Sequence, residues 1–177
     1  MRKTVALTGF MGSGKTTLGR TAAEAFGLAF LDTDEEIEKK EGMPIPEIFR
    51  LKGEAYFRKT ESEVLAECSG KPGCVLSLGG GAVKSPENRR ILKESGVLTV
   101  YLKASPERLC GRLKEDTGRP LLAGTYGQAR RERIEKLLSE REEAYRSAAD
   151  LVFDEDGFPE EDLAEAFIRF LGNAGTE

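Results

Sequence analysis

The run Gly9-Phe10-Met11-Gly12-Ser13-Gly14-Lys15-Thr16 limits this chain more than any other part of it. It fits the Gly-x-x-x-x-Gly-Lys-Ser/Thr phosphate-binding loop. Its surroundings matter as much as its letters. Before it, Thr4-Val5-Ala6-Leu7-Thr8 is short, mostly apolar and bounded by Gly9, which marks a buried strand. After it, Leu18, Ala22, Ala25 and Phe26 recur at helical spacing, so a helix starts near Lys15. Strand, glycine loop and helix together supply a mechanism. Gly9, Gly12 and Gly14 open backbone conformations closed to other residues. The loop N–H groups and the positive end of the helix dipole then form an anion cradle. In it Lys15 reaches the β- and γ-phosphates, and the Thr16 hydroxyl binds Mg²⁺. A chance match in a tight turn would lack the flanking strand and helix.

Composition narrows the function classes. The 177 residues suit one domain with a real core. A net charge of −4 argues against broad nucleic-acid binding, which needs a basic face. No stretch approaches the ~20 apolar residues that span a bilayer. Met1-Arg2-Lys3 runs straight into the first strand, which leaves no room for a signal peptide. Cys68, Cys74 and Cys110 are odd in number and lack metal spacing, so they read as reduced thiols of a cytoplasmic protein. There is no histidine, which excludes histidine-based triads, histidine metal sites and a histidine base.

Along the chain, Leu28-Ala29-Phe30-Leu31 ends in Asp32-Thr33-Asp34, carboxylates at the carboxyl end of a strand and so at the ligand crevice of an open α/β sheet. Asp32 resembles the aspartate that holds Mg²⁺ in phosphate-loop enzymes. Thr33 and Glu36 form a Thr-x-x-Glu capping box, which makes Asp34 either an ordinary first-turn carboxylate or a functional one. Met43-Pro44-Ile45-Pro46 breaks the chain, and Ile45, Ile48, Phe49 and Leu51 suggest a short amphipathic helix. From Gly53 a longer helix runs to about Ser69, with Glu61 interrupting the stripe of Phe57, Val64, Leu65 and Cys68. Arg58, three residues before Glu61, makes either a surface ion pair or an arginine fork for an anion; spacing does not choose.

A buried strand, Gly73 to Leu78, ends in Gly79-Gly80-Gly81, which allows close backbone approach and offers N–H groups to a substrate oxygen. Ser85-Pro86 and Ser105-Pro106 open helices on either side of the strand Val97 to Leu102. Residues 115–127 lack apolar periodicity and read as a lid carrying Arg119. A helix from about Gln128 to Ser147 carries Ile134, Leu137, Leu138, Arg141 and Tyr145 on one stripe, so Arg141 either snorkels or binds an anion. Arg130, Arg131 and Arg133 read as a solvated charged face. Leu151-Val152-Phe153 is a last strand, Leu163 to Leu171 a closing helix, and Gly172 to Glu177 a frayed end. Strands alternating with helices give a parallel sheet covered on both faces.

The ordered set Gly-x-x-Gly-Ser-Gly-Lys-Thr, Leu-Asp-Thr-Asp, Phe-Arg-x-x-Glu, Leu-Gly-Gly-Gly, Arg-Pro-Leu-Leu and Arg-x-x-x-Tyr resembles the shikimate kinases from about Lys3 to Asp150. The resemblance implies a three-layer α/β phosphate-loop kinase fold. Its five-stranded parallel sheet has the order 2-3-1-4-5, with substrate-binding helices over about 33–61 and a mobile lid. It also implies transfer of the ATP γ-phosphoryl to the 3-hydroxyl of shikimate, on the route to aromatic amino acids, by a protein that often works as a monomer. Carried over by motif, Gly12, Ser13, Gly14, Lys15, Thr16, Thr17 and Arg119 bind ATP, with Arg112 near the adenine. Thr16 and Asp32 hold Mg²⁺. Asp34, Arg58, Gly80 and Arg141 bind shikimate, Glu61 orients Arg58, and Gly79 and Gly81 flank the site. Lys15, Asp34 and Arg119 carry catalysis, Asp34 as an ionised, weak base. No motif lies beyond Asp150. A gluconate-type or nucleotide kinase would share the loop and lid, and a non-catalytic nucleotide switch would share the loop alone.

Overall fold

Every residue of β1 (Val5–Thr8) is buried, as expected of a strand with helices on both faces. The computed structural model of the protein, which describes residues 4–114 and 120–174, places it mid-sheet. β1 lies between β3 (Cys74–Ser77) and β4 (Leu98–Lys103), with β2 (Ala29–Asp32) and β5 (Leu151–Asp154) at the edges. All four pairings are parallel and the order is 2-3-1-4-5 as expected. Register places Asp32 beside Ser77 and Leu7 beside both Ser77 and Val100, so the carboxyl ends of these strands open onto one edge. The order reverses direction at β1, where a crevice must form.

Alternation along the strands sorts the core into two layers. Val5, Leu7, Val75, Val100 and Leu102 meet α1 (Lys15–Phe26) and α7 (Leu163–Ala174) through Leu18, Ala22, Phe167 and Leu171. Ala6, Leu76 and Tyr101 pack on the opposite face. There they meet Ile37 of α2 (Thr33–Glu41), Leu65 of α3 (Ile45–Ser69), Leu92 of α4 (Pro86–Glu94), Leu109 of α5 (Pro106–Arg112) and Ile134 of α6 (Gly127–Ala148). Ser85 and Ser105 cap α4 and α5 by accepting from the Asn88 and Arg108 N–H groups. The expected break at Gly53 is present: its backbone is non-helical (φ 80°, ψ 170°) inside α3. All three cysteines are free thiols. Among the described residues no helix is long and apolar enough to cross a membrane.

The edge strands are four residues each. Lys103 pairs across to Asp154 of β5 at 2.5 Å. At the other edge the Arg20 guanidinium lies 4.5 Å over the Phe30 ring of β2 and reaches Glu35 at 3.1 Å.

Some expectations are corrected. On α1, Ala25 is exposed and Ala23 takes its place in the core. Of the apolar residues before Gly53, Ile48 is buried while Phe49 and Leu51 are exposed. The closing helix runs to Ala174, so Gly172 is helical rather than frayed. The expected lid lies partly outside the described residues, which exclude Arg119. Its described part is anchored: Leu122 is fully buried in the core, and the Thr125 N–H and hydroxyl both donate to its carbonyl at 3.1 and 2.7 Å.

The largest departure is Arg130. Instead of joining a solvated face it is 5% exposed. Its Nη1 donates to the Leu113 and Lys114 carbonyls at 2.5 and 3.1 Å, and its Nε donates to Thr125 at 2.9 Å. Periodicity misread it because the carbonyls it donates to, after α5, leave no side-chain pattern. Arg130→Met would strip donors from all three carbonyls, so we expect a loss of about 3 kcal/mol. Urea unfolding would register this as a lower midpoint at an unchanged slope. A change below about 0.5 kcal/mol would return Arg130 to the surface class.

Candidate active site

The phosphate loop is shaped by its glycines. Gly12 and Gly14 take left-handed backbone (φ 80° and 71°), and a Cβ at Gly12 would come within 3.0 Å of Leu113. α1 has no side-chain cap, so its first N–H groups stay available to an anion. The Lys15 ammonium donates to the Gly9 and Phe10 carbonyls at 3.0 and 2.9 Å, which keeps it over the loop. Ser13 is fully buried, so its contribution to a ligand is its backbone. A cavity of about 490 Å³ is lined by Gly12, Gly14, Lys15, Thr16, Thr17 and Arg112, which gathers most of the residues expected to bind ATP.

Thr16 and Asp32 meet at the floor of this cavity, where the Thr16 hydroxyl donates to Asp32 Oδ2 at 3.2 Å. A hydroxyl and a carboxylate side by side are hard oxygen donors of the kind Mg²⁺ takes, and this ion completes its shell with water and phosphate. Among the described residues no group of three or more acidic, cysteine or histidine side chains is placed for a metal.

At the start of α2 the structure corrects the capping box. The cap is Asp32, whose backbone is extended and whose Oδ1 accepts the Asp34 N–H at 3.0 Å. Thr33 is already helical and buried. Its hydroxyl donates to the Ser77 carbonyl at 3.2 Å and accepts the Gly79 N–H at 3.1 Å. Glu36 pairs with Lys39 instead, at 2.6 Å. The helix therefore begins one residue earlier than the letter pattern indicates, and Thr33 fastens it to the end of β3.

That fastening brings Asp34 against the glycine run. A Cβ on Gly79 would sit 2.6 Å from Asp34 Oδ1. The Gly79 N–H is taken by Thr33, so at this position glycine serves close approach rather than donation to a ligand. Burial first, then the charges of Asp32 and Glu61, push the Asp34 carboxyl up to about 6, with Lys15 opposing. This corrects the picture of an ordinary first-turn carboxylate. Asp34 is still mostly ionised at neutral pH, yet it is a stronger base than its helix position implied.

A second cavity, about 260 Å³, is lined by Asp34, Phe49, Phe57, Arg58, Glu61, the three glycines, Leu121 and Arg141. Arg58 is held by buried Glu61 at 3.0 Å, and burial raises the Glu61 carboxyl against the pull of Arg58. Arg141 is 9% exposed, donates to the Gly80 carbonyl at 3.3 Å and lies 5.8 Å over the Phe10 ring. Two guanidinium groups thus flank one small chamber, suited to a carboxylate. The two cavities share Met11, Asp34 and Gly80. Tyr145, expected as an apolar stripe residue, also donates its hydroxyl to Gly80 at 2.7 Å. The four-residue spacing from Arg141 was the available signal. Glu155 and Glu160 beside Arg112 left none, because neither shares a local pattern with it.

A family model described as shikimate kinase matches residues 11–172. The chain belongs to the shikimate kinase family. A shikimate kinase of Bordetella avium is 43% identical over 93% of this chain and 77% of its own length. One from Methylococcus capsulatus is 41% identical over 99% of this chain and 96% of its own. A solved shikimate kinase of Acinetobacter baumannii, in complex with shikimate, is 36% identical over 99% of this chain and 96% of its own, with a TM-score of 0.85. Family membership makes the protein an ATP-dependent kinase acting on an alcohol group.

The crowded carboxylates carry a stability signature. The folded protein binds the Asp34 proton more tightly than the unfolded chain does. The cost of ionising Asp34 is therefore fully present above about pH 6 and absent below its ordinary value of 3.8. Asp34→Asn is expected to stabilise the ligand-free protein by about 1–3 kcal/mol at pH 7. The difference between variant and wild type should shrink towards pH 4 in melting experiments; a variant that melts lower at pH 7 would contradict this.

Proposed function

We propose that the protein transfers the γ-phosphoryl of ATP to the 3-hydroxyl of shikimate, giving shikimate 3-phosphate and ADP. The observation that carries this reading is the junction at Asp34 and Gly80, where an anion-loop cavity opens into a chamber flanked by arginines. ATP lies along the loop with its phosphates on the N–H groups of Gly12 to Thr17, and Lys15 neutralises charge at the transferring group. Arg58, oriented by Glu61, and Arg141 take the shikimate carboxylate. Asp34 hydrogen-bonds the acceptor hydroxyl and takes its proton as the new oxygen–phosphorus bond forms and the bond to ADP breaks. Because phosphoryl transfer is loose, positioning and neutralisation do most of the work and a carboxylate base suffices. Mg²⁺, held by Thr16 and Asp32, supplies charge neutralisation on the phosphates when bound. Arg119 is assigned to the transferring phosphate by its motif alone. We further propose that the protein acts as a cytoplasmic monomer in aromatic amino acid biosynthesis, and its net charge of −4 fits small-molecule substrates better than nucleic acid.

The deciding measurement is ADP release with Mg·ATP and a panel of shikimate, quinate, gluconate and nucleoside monophosphates. Shikimate alone should drive release; release with another acceptor would keep the chemistry and overturn the substrate. Gly79→Ala tests the junction directly, because the new Cβ displaces Asp34. We expect kcat to fall by about two orders of magnitude, the scale of a misplacement near 1 Å. An unchanged kcat would remove Asp34 from the reaction.

A further inference from the structure

Arg112 lines the nucleotide cavity, and its Nη1 donates to the Gly12 carbonyl of the phosphate loop at 2.9 Å. This guanidinium therefore touches both the cavity wall and the loop that holds phosphate. Two carboxylates from the chain after β5 hold it in place. Glu160 accepts from Nε and Nη2 at 3.0 and 2.9 Å, and its side chain is 63% exposed. Glu155 approaches from the protein interior with Oε2 2.8 Å from Nη1, and it has no exposed surface.

Glu155 is unusual in its satisfaction. Among the described residues neither of its carboxylate oxygens lies in line with a hydrogen-bond donor, although Arg112 is in close ion contact. Arg108, the other cation on α5, is committed to the main-chain carbonyls of Glu155 and Phe158, both at 2.6 Å. Burial pushes the Glu155 carboxyl up to about 7 while Arg112 pulls it down. A carboxylate kept dry and without directed hydrogen bonds is costly unless a charge offsets it. Here Arg112 is that charge, and the constraint is mutual: Glu155 fixes where the guanidinium sits. Glu160 holds the guanidinium from the other side through two hydrogen bonds that solvent screens.

We infer that Glu155 is a positioning residue for nucleotide binding, acting through Arg112 on the Gly12 carbonyl and on the wall of the nucleotide cavity. It touches neither substrate. Without its charge, Arg112 is free to follow Glu160 outwards, which releases Gly12 and opens the cavity wall. The inference rests on assigning the loop cavity to ATP, and the test separates the two.

Glu155→Gln keeps the shape and removes the charge. It should raise KM for ATP and Kd for ADP, measured by calorimetry, by roughly tenfold, the scale of one lost charge-assisted contact. The kcat and the KM for shikimate should stay within about twofold. Glu155→Asp, which keeps the charge on a shorter arm, should fall between wild type and Gln, and Glu160→Gln should have a smaller effect than Glu155→Gln. An unchanged KM for ATP in Glu155→Gln overturns the inference. So does a loss that falls equally on kcat and both KM values alongside a lower melting temperature, since that marks a merely structural residue. If Glu155→Gln does not fold, the same measurements on Glu155→Asp decide: a KM for ATP equal to wild type overturns the inference. Failure of the ATP assignment would instead appear as wild-type protein that neither binds ADP nor turns over.

Discussion

Three carboxylates, Asp32, Asp34 and Glu61, are held in one crevice against their mutual repulsion, and the site is arranged around that constraint. Backbone and hydroxyl contacts hold α2 in place: Asp32 caps the helix, and Thr33 bonds to both the end of β3 and Gly79. Cations are then placed where the repulsion needs them, Lys15 on the loop side and Arg58 on the acceptor side. The result is a carboxyl raised above its usual range beside a chamber flanked by two arginines, and it is the group that the proposed reaction uses as its base in a chain without histidine. The same crowding that makes Asp34 useful makes it unfavourable to the fold.

The architecture explains why these groups come from so many places in the chain. In a parallel sheet the carboxyl ends of successive strands share an edge, so the loops after β1, β2, β3 and β4 converge there. The phosphate loop follows β1, the aspartates follow β2, and the glycine run follows β3. Helices α3 and α6, which cover the same face, bring Glu61 and Arg141 inward at positions where their stripes are otherwise apolar, and Glu61 holds the half-exposed Arg58 at the chamber wall. An arginine inside an apolar stripe therefore has a reason that packing does not provide.

Legibility from sequence followed the range of the interaction. The loop and the stripe of α6 were readable because their signals are local and periodic, whereas the strand order came only from the resemblance that the ordered motifs carry. Thr33 was misread because the capping box is a four-residue pattern, whereas its real partners lie 44 and 46 positions away. Arg130 was misread because carbonyl acceptors are invisible in a list of side chains. Glu155 went unnoticed for a third reason: its burial comes from the packing of the chain after β5 against α5, which no nearby residue announces. The motifs brought Arg58 and Arg141 to the site, where spacing alone had left each balanced against an ordinary surface role.

The sheet's two edges follow a different logic from its centre. Both edge strands are four residues long and consist mostly of partly or fully exposed residues. An open edge of that kind can pair with a strand of another molecule, and long or uncharged edges do so most readily. Here the Lys103–Asp154 pair stands on one edge and Arg20 lies across Phe30 on the other. A second molecule approaching either edge would have to displace and desolvate charge before it gained a backbone hydrogen bond. Colloidal behaviour in a crowded solution is thus set by a few side chains far from the chemistry, and they can change without altering the reaction.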